Sequence, residues 1–240
     1  HVVAAFYLLH GGAADTFYCG GSEKIEGREQ ILNCWNHAGH GSETTAQALQ
    51  KSCNIAFAHI GLRTGGGTLY DYCRAFGLME QTGIDLPGEV RSVVGCQTSL
   101  YDPDKAMDEA SQDTSMPIIV FNSIKKHLRN QGASRNITYD DERLNRCVKR
   151  LMDMAVNTNQ DDWVQSMRPI LMEELNMTRE MVHLQVVIGD TYNYLNDIKW
   201  GGSQTIQVAI GQSITTVSPA AVARYVAALG NGGKVYNLTI

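Results

Sequence analysis

Apolar residues recur at helical spacing near the start of the chain. Val2–Leu9 is apolar throughout and is followed, after one histidine, by a pair of glycines. This pattern predicts a short buried helix that ends at glycine. Residues 16–41 contain five glycines and two adjacent aromatic residues, which predicts a loop-rich stretch with short extended pieces.

A run of helices is predicted next. Thr44 or Thr45 can cap a short helix, because a threonine hydroxyl accepts a hydrogen bond from the first helical turn. The helix after it ends at the glycines of residues 65–67, and a third helix covers residues 69–76. The buried face of the middle helix is predicted to consist of Ile55, Phe57, Ile60 and Leu62.

The middle of the chain, residues 97–201, shows amphipathic helical patterns repeatedly. Thr178 is a predicted helix N-cap, and Pro169 is expected to kink or split the helix that contains it. We interpret this stretch as a mostly helical insertion packed on the rest of the chain, with an independent ligand-binding module as the alternative. The predicted helices cover residues 118–128, 140–154, 162–175 and 178–194. One predicted apolar face consists of Leu144, Cys147, Leu151 and Met154.

The end of the chain has clear local signals. Ser218 is a predicted N-cap, and Pro219 occupies the first helical position, where a missing N–H costs nothing. An apolar stripe follows and stops at the glycines of residues 230–233. Residues 234–240 alternate in polarity, which predicts the opening of a strand.

Length and charge exclude several classes of protein. A chain of 240 residues forms one large or two small domains, and 43% hydrophobic with 19% charged residues is ordinary for a globular protein. The net charge of −5, without a stripe of Lys and Arg, argues against nucleic-acid binding. No apolar run approaches the roughly 20 residues that span a bilayer. A start in mid-helix, without Met, indicates a piece of a longer protein.

The cysteines show no C-x-x-C pair, which disfavours both a zinc site and a small disulfide scaffold. His37 and His40 lie near Cys34, so a metal cluster is conceivable, but a glycine-rich loop without paired ligands leads us to predict no metal. Cys19 and Cys34 could pair in an oxidising compartment. We favour reduced, packed cysteines and a buried Trp35. The six cysteines are Cys19, Cys34, Cys53, Cys73, Cys96 and Cys147.

Four segments carry a family resemblance. They are CWNHAGHG at residues 34–41, SCN at residues 52–54, TGIDLPGE at residues 82–89 and AIGQSITTVSPAAVARYVAALGNGG at residues 209–233. A lone Ser-x-Asn tripeptide is common by chance, and both residues favour a turn between helices on propensity alone. In this order, however, the segments resemble the transpeptidase domain of class B, high-molecular-weight penicillin-binding proteins.

The resemblance implies a fold and a division of the chain. The fold would be α+β and helix-rich, a partial penicillin-binding or serine β-lactamase-like transpeptidase fold with a helical insertion. Residues 1–96 and 202–240 would be parts of the transpeptidase domain, and residues 97–201 the insertion.

The resemblance also implies a serine acyl-transfer chemistry. Such chemistry needs a nucleophile, a base, a proton route and donors for the oxyanion. Ser52 would relay a proton to the departing D-alanine nitrogen, and Asn54 would hold the substrate amide and the lysine base, with Cys53 packed between them. The S-x-x-K nucleophile and base would lie just before His1 and K-T-G beyond Ile240. We expect neither motif within the chain, which would therefore be inactive by itself.

The family's other properties follow as expectations. The full-length protein would cross-link peptidoglycan stem peptides, be acylated by β-lactams and act outside the bacterial cytoplasmic membrane, to which it would be anchored. It would need no cofactor or metal, bind no nucleic acid, and could join other cell-wall synthesis proteins in cell division or cell shape. Two alternatives stay open: a non-catalytic penicillin-recognising sensor domain, and a helical interaction module in the middle stretch.

Overall fold

A computed structural model describes residues 2–25, 30–85, 87–105 and 115–238. The contacts between residues divide the chain into two compact units. Unit 1 consists of His1–Cys96 and Trp200–Ile240, and unit 2 of Gln97–Lys199. Within the described residues, no helix is both long enough and apolar enough to cross a membrane.

Unit 1 begins with the predicted apolar helix and two small sheets. Helix α1 covers Val2–Leu9 and ends before Gly11, which has a φ of +92°. Strand β1, Thr16–Cys19, pairs antiparallel with β4, Gly41–Thr44, so that Cys19 lies opposite Gly41. The strands β2 and β3, Ser22–Glu23 and Leu32–Asn33, form the other antiparallel pair. Gly27, one of the glycines behind the loop prediction, lies outside the described residues.

Three helices then follow in the predicted order. Helix α2, Thr45–Gln50, starts with a capping box, since Thr44 Oγ1 accepts from Gln47 N and Gln47 Oε1 accepts from Thr44 N. Helix α3, Asn54–Thr64, buries its predicted apolar face, although Leu62 is only half-buried. Helix α4, Gly66–Ala75, starts three residues earlier than predicted.

Unit 2 is helical wherever it has regular structure among its described residues. Its helices enclose a single apolar core, at whose centre Leu144, Cys147, Leu151 and Trp163 are fully buried, whereas Met154 is half-buried. Residues 106–114 lie outside the described part. The helices are α5 (Gln97–Leu100), α6 (Met116–Ala133), α7 (Asp141–Asn157), α8 (Trp163–Leu175) and α9 (Gln185–Asn196).

Two helix predictions in unit 2 need correction. Pro169 does not split α8, which continues through it from Trp163 to Leu175, and a kink at Pro169 stays a prediction. The helix predicted from Thr178 is interrupted. Thr178 Oγ1 accepts from Met181 N, the first residue of a single 3-10 turn, after which Leu184 is extended and α9 begins.

The chain then returns to unit 1 and packs against α3. Helix α10 covers Gly202–Ala209, and a Cβ added to Gly61 of α3 would lie 2.4 Å from the Ala209 Cβ. Only glycine therefore allows this close approach of the two helices. Helix α11, Pro219–Gly230, begins as predicted, with Ser218 Oγ accepting from Ala221 N.

The strand predicted after α11 is not formed in residues 234–238, and residues 239–240 lie outside the described part. Asn231 closes a turn by exchanging hydrogen bonds with the backbone of Lys234. Leu238 N then donates to Thr82 O at 2.9 Å, which is a lone backbone contact and not the repeated ladder that defines a strand. Thr82 belongs to TGIDLPGE, whose described residues are neither helix nor strand and include a turn at Pro87 and Gly88; Leu86 of that segment is not described.

Candidate functional site

The S-C-N tripeptide forms the turn between α2 and α3. Ser52 N donates to Leu49 O at 3.2 Å and Cys53 N donates to Ala48 O at 2.9 Å. These two bonds are those of a Schellman motif, in which the left-handed position is usually glycine. Here that position is Ser52, with a φ of +52°. A turn alone would favour glycine, so the serine is placed against the local conformational preference.

The three residues of this turn differ in exposure. Ser52 is exposed, Cys53 is fully buried at the N-cap of α3, and Asn54 is half-buried at the first position of that helix. Cys53 is thus packed as expected. The turn presents its two polar side chains on either side of a buried sulfur.

Ser52 and Asn54 line a cavity of about 400 Å³ within unit 1. Val3, at the start of α1, lines the same cavity. So do Gly211 and Thr215, which follow α10 in the AIGQSITT stretch. Three segments that are far apart in the sequence therefore meet at one cavity.

Asn54 also has a structural contact. Its Nδ2 donates to the backbone oxygen of Asn33 at 3.2 Å, which joins the start of α3 to the end of β3. One N–H of the side-chain amide is used in this way, and the oxygen and the second N–H are left for other partners. Asn54 therefore also has a structural role, since it joins two elements of unit 1.

Trp35 is not buried, contrary to the prediction. Its side chain is 63% exposed, and its indole N–H donates to Lys51 O at 2.9 Å. The last carbonyls of a helix have no partner within the helix, and Trp35 supplies a donor to one just past the end of α2. Its ring lies beside that of His40, with centroids 5.4 Å apart. The tryptophan thus holds the loop of residues 34–41 against the S-C-N turn from outside.

Four potential metal ligands converge behind the turn. The sulfur atoms of Cys19, Cys34 and Cys53 and a ring nitrogen of His40 all lie within 4.8 Å of one another. Cys34 Sγ is 3.7 Å from His40 Nδ1. The three cysteines are buried and carry free thiols, and His40 is half-buried. His37 is exposed and is not part of the cluster.

The environment treats two of these thiols differently. Burial alone would raise the pKa of Cys34, but the backbone N–H groups of Asn36 and Asn54 donate to its sulfur and lower the pKa overall. The pKa of Cys53 is strongly raised, mainly by burial and further by the carboxylate of Glu43. Of these two thiols, Cys34 is therefore the one whose pKa favours ionisation more.

Two segments of unit 2 match the S-x-x-K and S-x-N patterns by sequence. Residues 123–126 read Ser-Ile-Lys-Lys and fit S-x-x-K, so the expectation that this pattern is absent from the chain is wrong. Residues 134–136 read Ser-Arg-Asn and repeat the S-x-N spacing. Neither segment lines the cavity that contains Ser52, and Ser134 has an ordinary φ of −62° at the end of α6. Sequence patterns alone do not distinguish these segments from residues 52–54. The distinguishing features are structural, because residues 52–54 line the cavity and Ser52 occupies the strained turn position.

Comparisons with known proteins agree with the resemblance. Residues 12–112 match the family described as penicillin-binding protein transpeptidase domain. Stage V sporulation protein D of Bacillus subtilis is 41% identical over 75 residues, which is 31% of this chain and 11% of that protein. The chain therefore spans about a tenth of the length of this relative.

Solved structures with a similar fold include the penicillin-binding protein PBP2 of Helicobacter pylori. In its complex with MreC, PBP2 matches with a TM-score of 0.51 and 15% identity over 99% of this chain, which covers 26% of that chain. PBP2 by itself matches with the same TM-score and identity, and 27% of it is covered. At this identity the likeness concerns the fold.

The fold and the matched residues together define a helix-rich part of a transpeptidase domain. We therefore assign residues 12–112 to a penicillin-binding protein transpeptidase domain. Residues 209–233 lie outside the matched range, so their share of the resemblance stays a prediction.

Proposed function

We propose that the chain is part of a peptidoglycan D,D-transpeptidase in which Ser52 and Asn54 form the S-x-N motif of the acyl-transfer site. The observation that carries this proposal is the conformation of Ser52. It is exposed at a left-handed turn position that favours glycine, and it lines a cavity shared with the start of α1. Backbone strain of this kind is concentrated at functional sites.

The proposed roles follow from the groups available. The hydroxyl of Ser52 can accept a proton from the catalytic base and donate one to the departing D-alanine amine, since a hydroxyl is both donor and acceptor. Asn54 keeps its amide oxygen and one N–H for the substrate amide and the lysine, because its other N–H is bonded to Asn33. The hydrogen bond to Asn33 would fix the orientation of the amide.

The nucleophile and its base are proposed to belong to an S-x-x-K motif just before His1, and K-T-G to follow Ile240. Val3, at the start of α1, lines the same cavity as Ser52, which supports a nucleophile near this end of α1. The longer protein is proposed to be membrane-anchored and to act outside the cytoplasmic membrane on stem peptides and β-lactams. Because the structure of PBP2 from Helicobacter pylori includes MreC, proteins of the cell-wall machinery are proposed as partners.

Covalent labelling tests the proposal. The 240-residue chain should give no adduct with a fluorescent penicillin in intact-protein mass spectrometry, and the longer protein carrying both further motifs should give one adduct per chain. In the longer protein, Ser52→Ala and Asn54→Ala should slow acylation by about one to three orders of magnitude.

Ser134→Ala is the matched control, because it removes the serine of the second S-x-N pattern, in unit 2. It should acylate at the wild-type rate. An adduct on the 240-residue chain, or normal acylation by both site variants, would overturn the proposal. Acylation without any turnover of a D-alanyl-D-alanine peptide would favour the sensor-domain alternative.

A further inference from the structure

We propose that Trp35 is a positioning residue for Ser52, because its indole N–H holds the Lys51–Ser52 peptide in the orientation that keeps Ser52 left-handed. The effect on acylation rests on the proposed role of Ser52 in acyl transfer. The effect on the conformation of the turn does not, and it can be measured without any acylation.

The hydrogen bond from Trp35 acts on the peptide that precedes Ser52. The indole Nε1 donates to Lys51 O at 2.9 Å, the usual length of an N–H···O bond. Lys51 is the C-cap of α2, and within the described residues no backbone N–H donates to its carbonyl oxygen. Because that carbonyl belongs to the bond between Lys51 and Ser52, the indole N–H fixes the plane of this peptide directly.

The orientation of this peptide decides the conformation of Ser52. Lys51 has a ψ of 0° and Ser52 a φ of +52°. A half-turn of a peptide plane changes these two angles by about 180° and leaves the Cα atoms on either side nearly in place. Ser52 would then have a φ of about −130°, which a serine adopts without left-handed strain. The strain at Ser52 therefore favours the flipped peptide.

Two hydrogen bonds oppose this flip. One is the bond from Ser52 N to Leu49 O, whose length of 3.2 Å lies at the long end of the usual range. The other is the shorter bond from Trp35. Both would break if the peptide turned, since its N–H and its carbonyl would then point the opposite way. One such bond is similar in energy to the left-handed strain, so the loss of either bond shifts the balance between the two orientations.

The loop that carries Trp35 is fixed on both sides, although the tryptophan lies at the surface. Burial does not explain a tryptophan here, because most of its side chain is exposed. Before it, Cys34 N donates to Gly21 O at 2.8 Å. After it, Asn36 Nδ2 donates to Gly39 O at 2.8 Å and closes a turn. The indole is therefore presented to the S-C-N turn from an anchored backbone.

The flip would change the direction of the Ser52 hydroxyl. The rotamers open to a serine depend on its φ, and a displacement of about 1 Å at a reacting group can cost about 100-fold in rate. Asn54 is held separately, since its Nδ2 donates to Asn33 O. Trp35 is not among the described residues that line the cavity, so it acts through Ser52 and not on the substrate.

Amide hydrogen exchange of the 240-residue chain, measured by nuclear magnetic resonance, tests the conformational effect. The N–H of Ser52 is bonded to Leu49 O in the unflipped turn, so its exchange reports the flip. Trp35→Phe removes the indole N–H and keeps an aromatic ring. It should raise the exchange rate of Ser52 about fivefold, the scale of one hydrogen bond, while amides in the middle of α3 keep their rates.

The acylation rate of the longer protein tests the catalytic effect. At saturating β-lactam, Trp35→Phe should lower the first-order acylation constant about tenfold. The dissociation constant of the noncovalent complex should stay the same, because Trp35 does not line the cavity. A purely structural loss would instead lower the melting temperature and the labelled fraction, and would leave the rate constant of the folded fraction unchanged.

Trp200→Phe is the matched control. Trp200 also belongs to unit 1, and its indole N–H donates to Thr205 Oγ1 at 3.0 Å. The same chemical change is thus made at a residue that is likewise outside the cavity lining. Both the exchange rate of Ser52 and the acylation constant should keep their wild-type values.

Trp35→Ala is a second variant, since it removes the ring and the N–H together. It should match Trp35→Phe in both assays, because the N–H is the group that acts on the turn. Circular dichroism verifies that each variant is folded.

The proposal is overturned if Ser52 exchanges at the wild-type rate in Trp35→Phe. It is overturned as well if only Trp35→Ala has an effect, which would assign the role to ring packing, or if Trp35→Phe acylates normally while Ser52→Ala is slow. Normal acylation by Ser52→Ala would instead reject the proposed role of Ser52, and with it the catalytic effect of Trp35. Because the exchange assay needs no acylation, these two failures are distinguishable.

Discussion

In the two units, different residue types occupy the left-handed positions at which the chain turns. Among the described residues, every glycine with positive φ lies in unit 1, whereas the left-handed residues of unit 2 are Asn136 and Asn176. Unit 2 encloses one core between long helix faces, whereas unit 1 contains two separate cores. The stability of unit 2 therefore comes from repeated burial of helix faces, whereas the candidate site in unit 1 depends on a few constrained turns.

The largest expected effect concerns the independence of unit 2. Residues 97–199 expressed alone should fold with a helical circular dichroism spectrum and a cooperative thermal transition, because their core is enclosed by their own helices. Within this piece, Leu151→Ala should lower the free energy of unfolding by about 2–5 kcal/mol, since Leu151 is fully buried. Urea denaturation measures the loss.

Met154→Ala is the control on the same helix. Met154 is half-buried, so its truncation should cost clearly less than that of Leu151. A spectrum of a disordered chain, or equal losses from the two variants, would contradict the description of unit 2 as a separate body with a central core.

The next largest effect concerns a turn in unit 1. Gly39→Ala should lower the free energy of unfolding by about 2 kcal/mol or more, because it adds left-handed strain and a Cβ in contact with Cys19 O. Gly41→Ala is the matched control: φ is +70°, but a Cβ there has no heavy atom within 4 Å. It should cost only the strain, about 1 kcal/mol. Chemical denaturation compares the free energies of unfolding of the two variants. Equal losses would show that a Cβ at residue 39 does not meet the backbone of Cys19.

A smaller effect is expected from an ion pair of unit 2. The hydrogen bond from Arg150, with help from Arg146, lowers the pKa of Glu174 although burial opposes this. A lowered folded-state pKa stabilises the fold above the unfolded pKa of about 4.3, and that stability is lost as the pH falls through the folded value.

Glu174→Gln should therefore cost about 0.5–1 kcal/mol near neutral pH, a modest amount because Arg150 is 45% exposed. The difference from wild type should shrink as the pH falls from the unfolded pKa of about 4.3 through the lowered folded-state pKa of Glu174. Urea denaturation across this range measures it, and a difference that is constant with pH would refute the ion-pair explanation.

The smallest effect is expected at Ser52, and its sign is informative. Ser52→Gly should leave the free energy of unfolding unchanged or raise it by about 0–1 kcal/mol, because relief of left-handed strain outweighs the added freedom of the unfolded chain. Ser134→Gly should instead lose about 0.5–1 kcal/mol, because its φ of −62° gives no strain to relieve. Thermal melts of both variants decide the matter. A clear loss at Ser52 would mean that the serine serves the turn itself.

Much of the secondary structure could be predicted from the sequence. The helix of residues 2–9, the cap at Ser218 and the buried face of α7 depend on residues within one or two turns of each other, whose order the sequence contains. Predictions went wrong where a distant partner decides the conformation. Trp35 is exposed because the carbonyl of Lys51 lies within its reach, and residues 234–238 are not a strand because a strand needs a neighbour.

For the candidate site, too, some features could be predicted from the sequence and others depend on the tertiary structure. The S-C-N motif could be selected from the sequence because it stands in the same order relative to the other segments as in the family it resembles. The family match covers residues 12–112 and includes this motif. The sequence by itself disfavoured a metal, because no two of its cysteines form a ligand pair. Only the tertiary structure decided that Cys19, Cys34, Cys53 and His40 converge. The physical reason is that spacing along a chain determines contacts within one helix or turn, whereas the three separate segments that carry these four residues meet only through the packing of the whole unit.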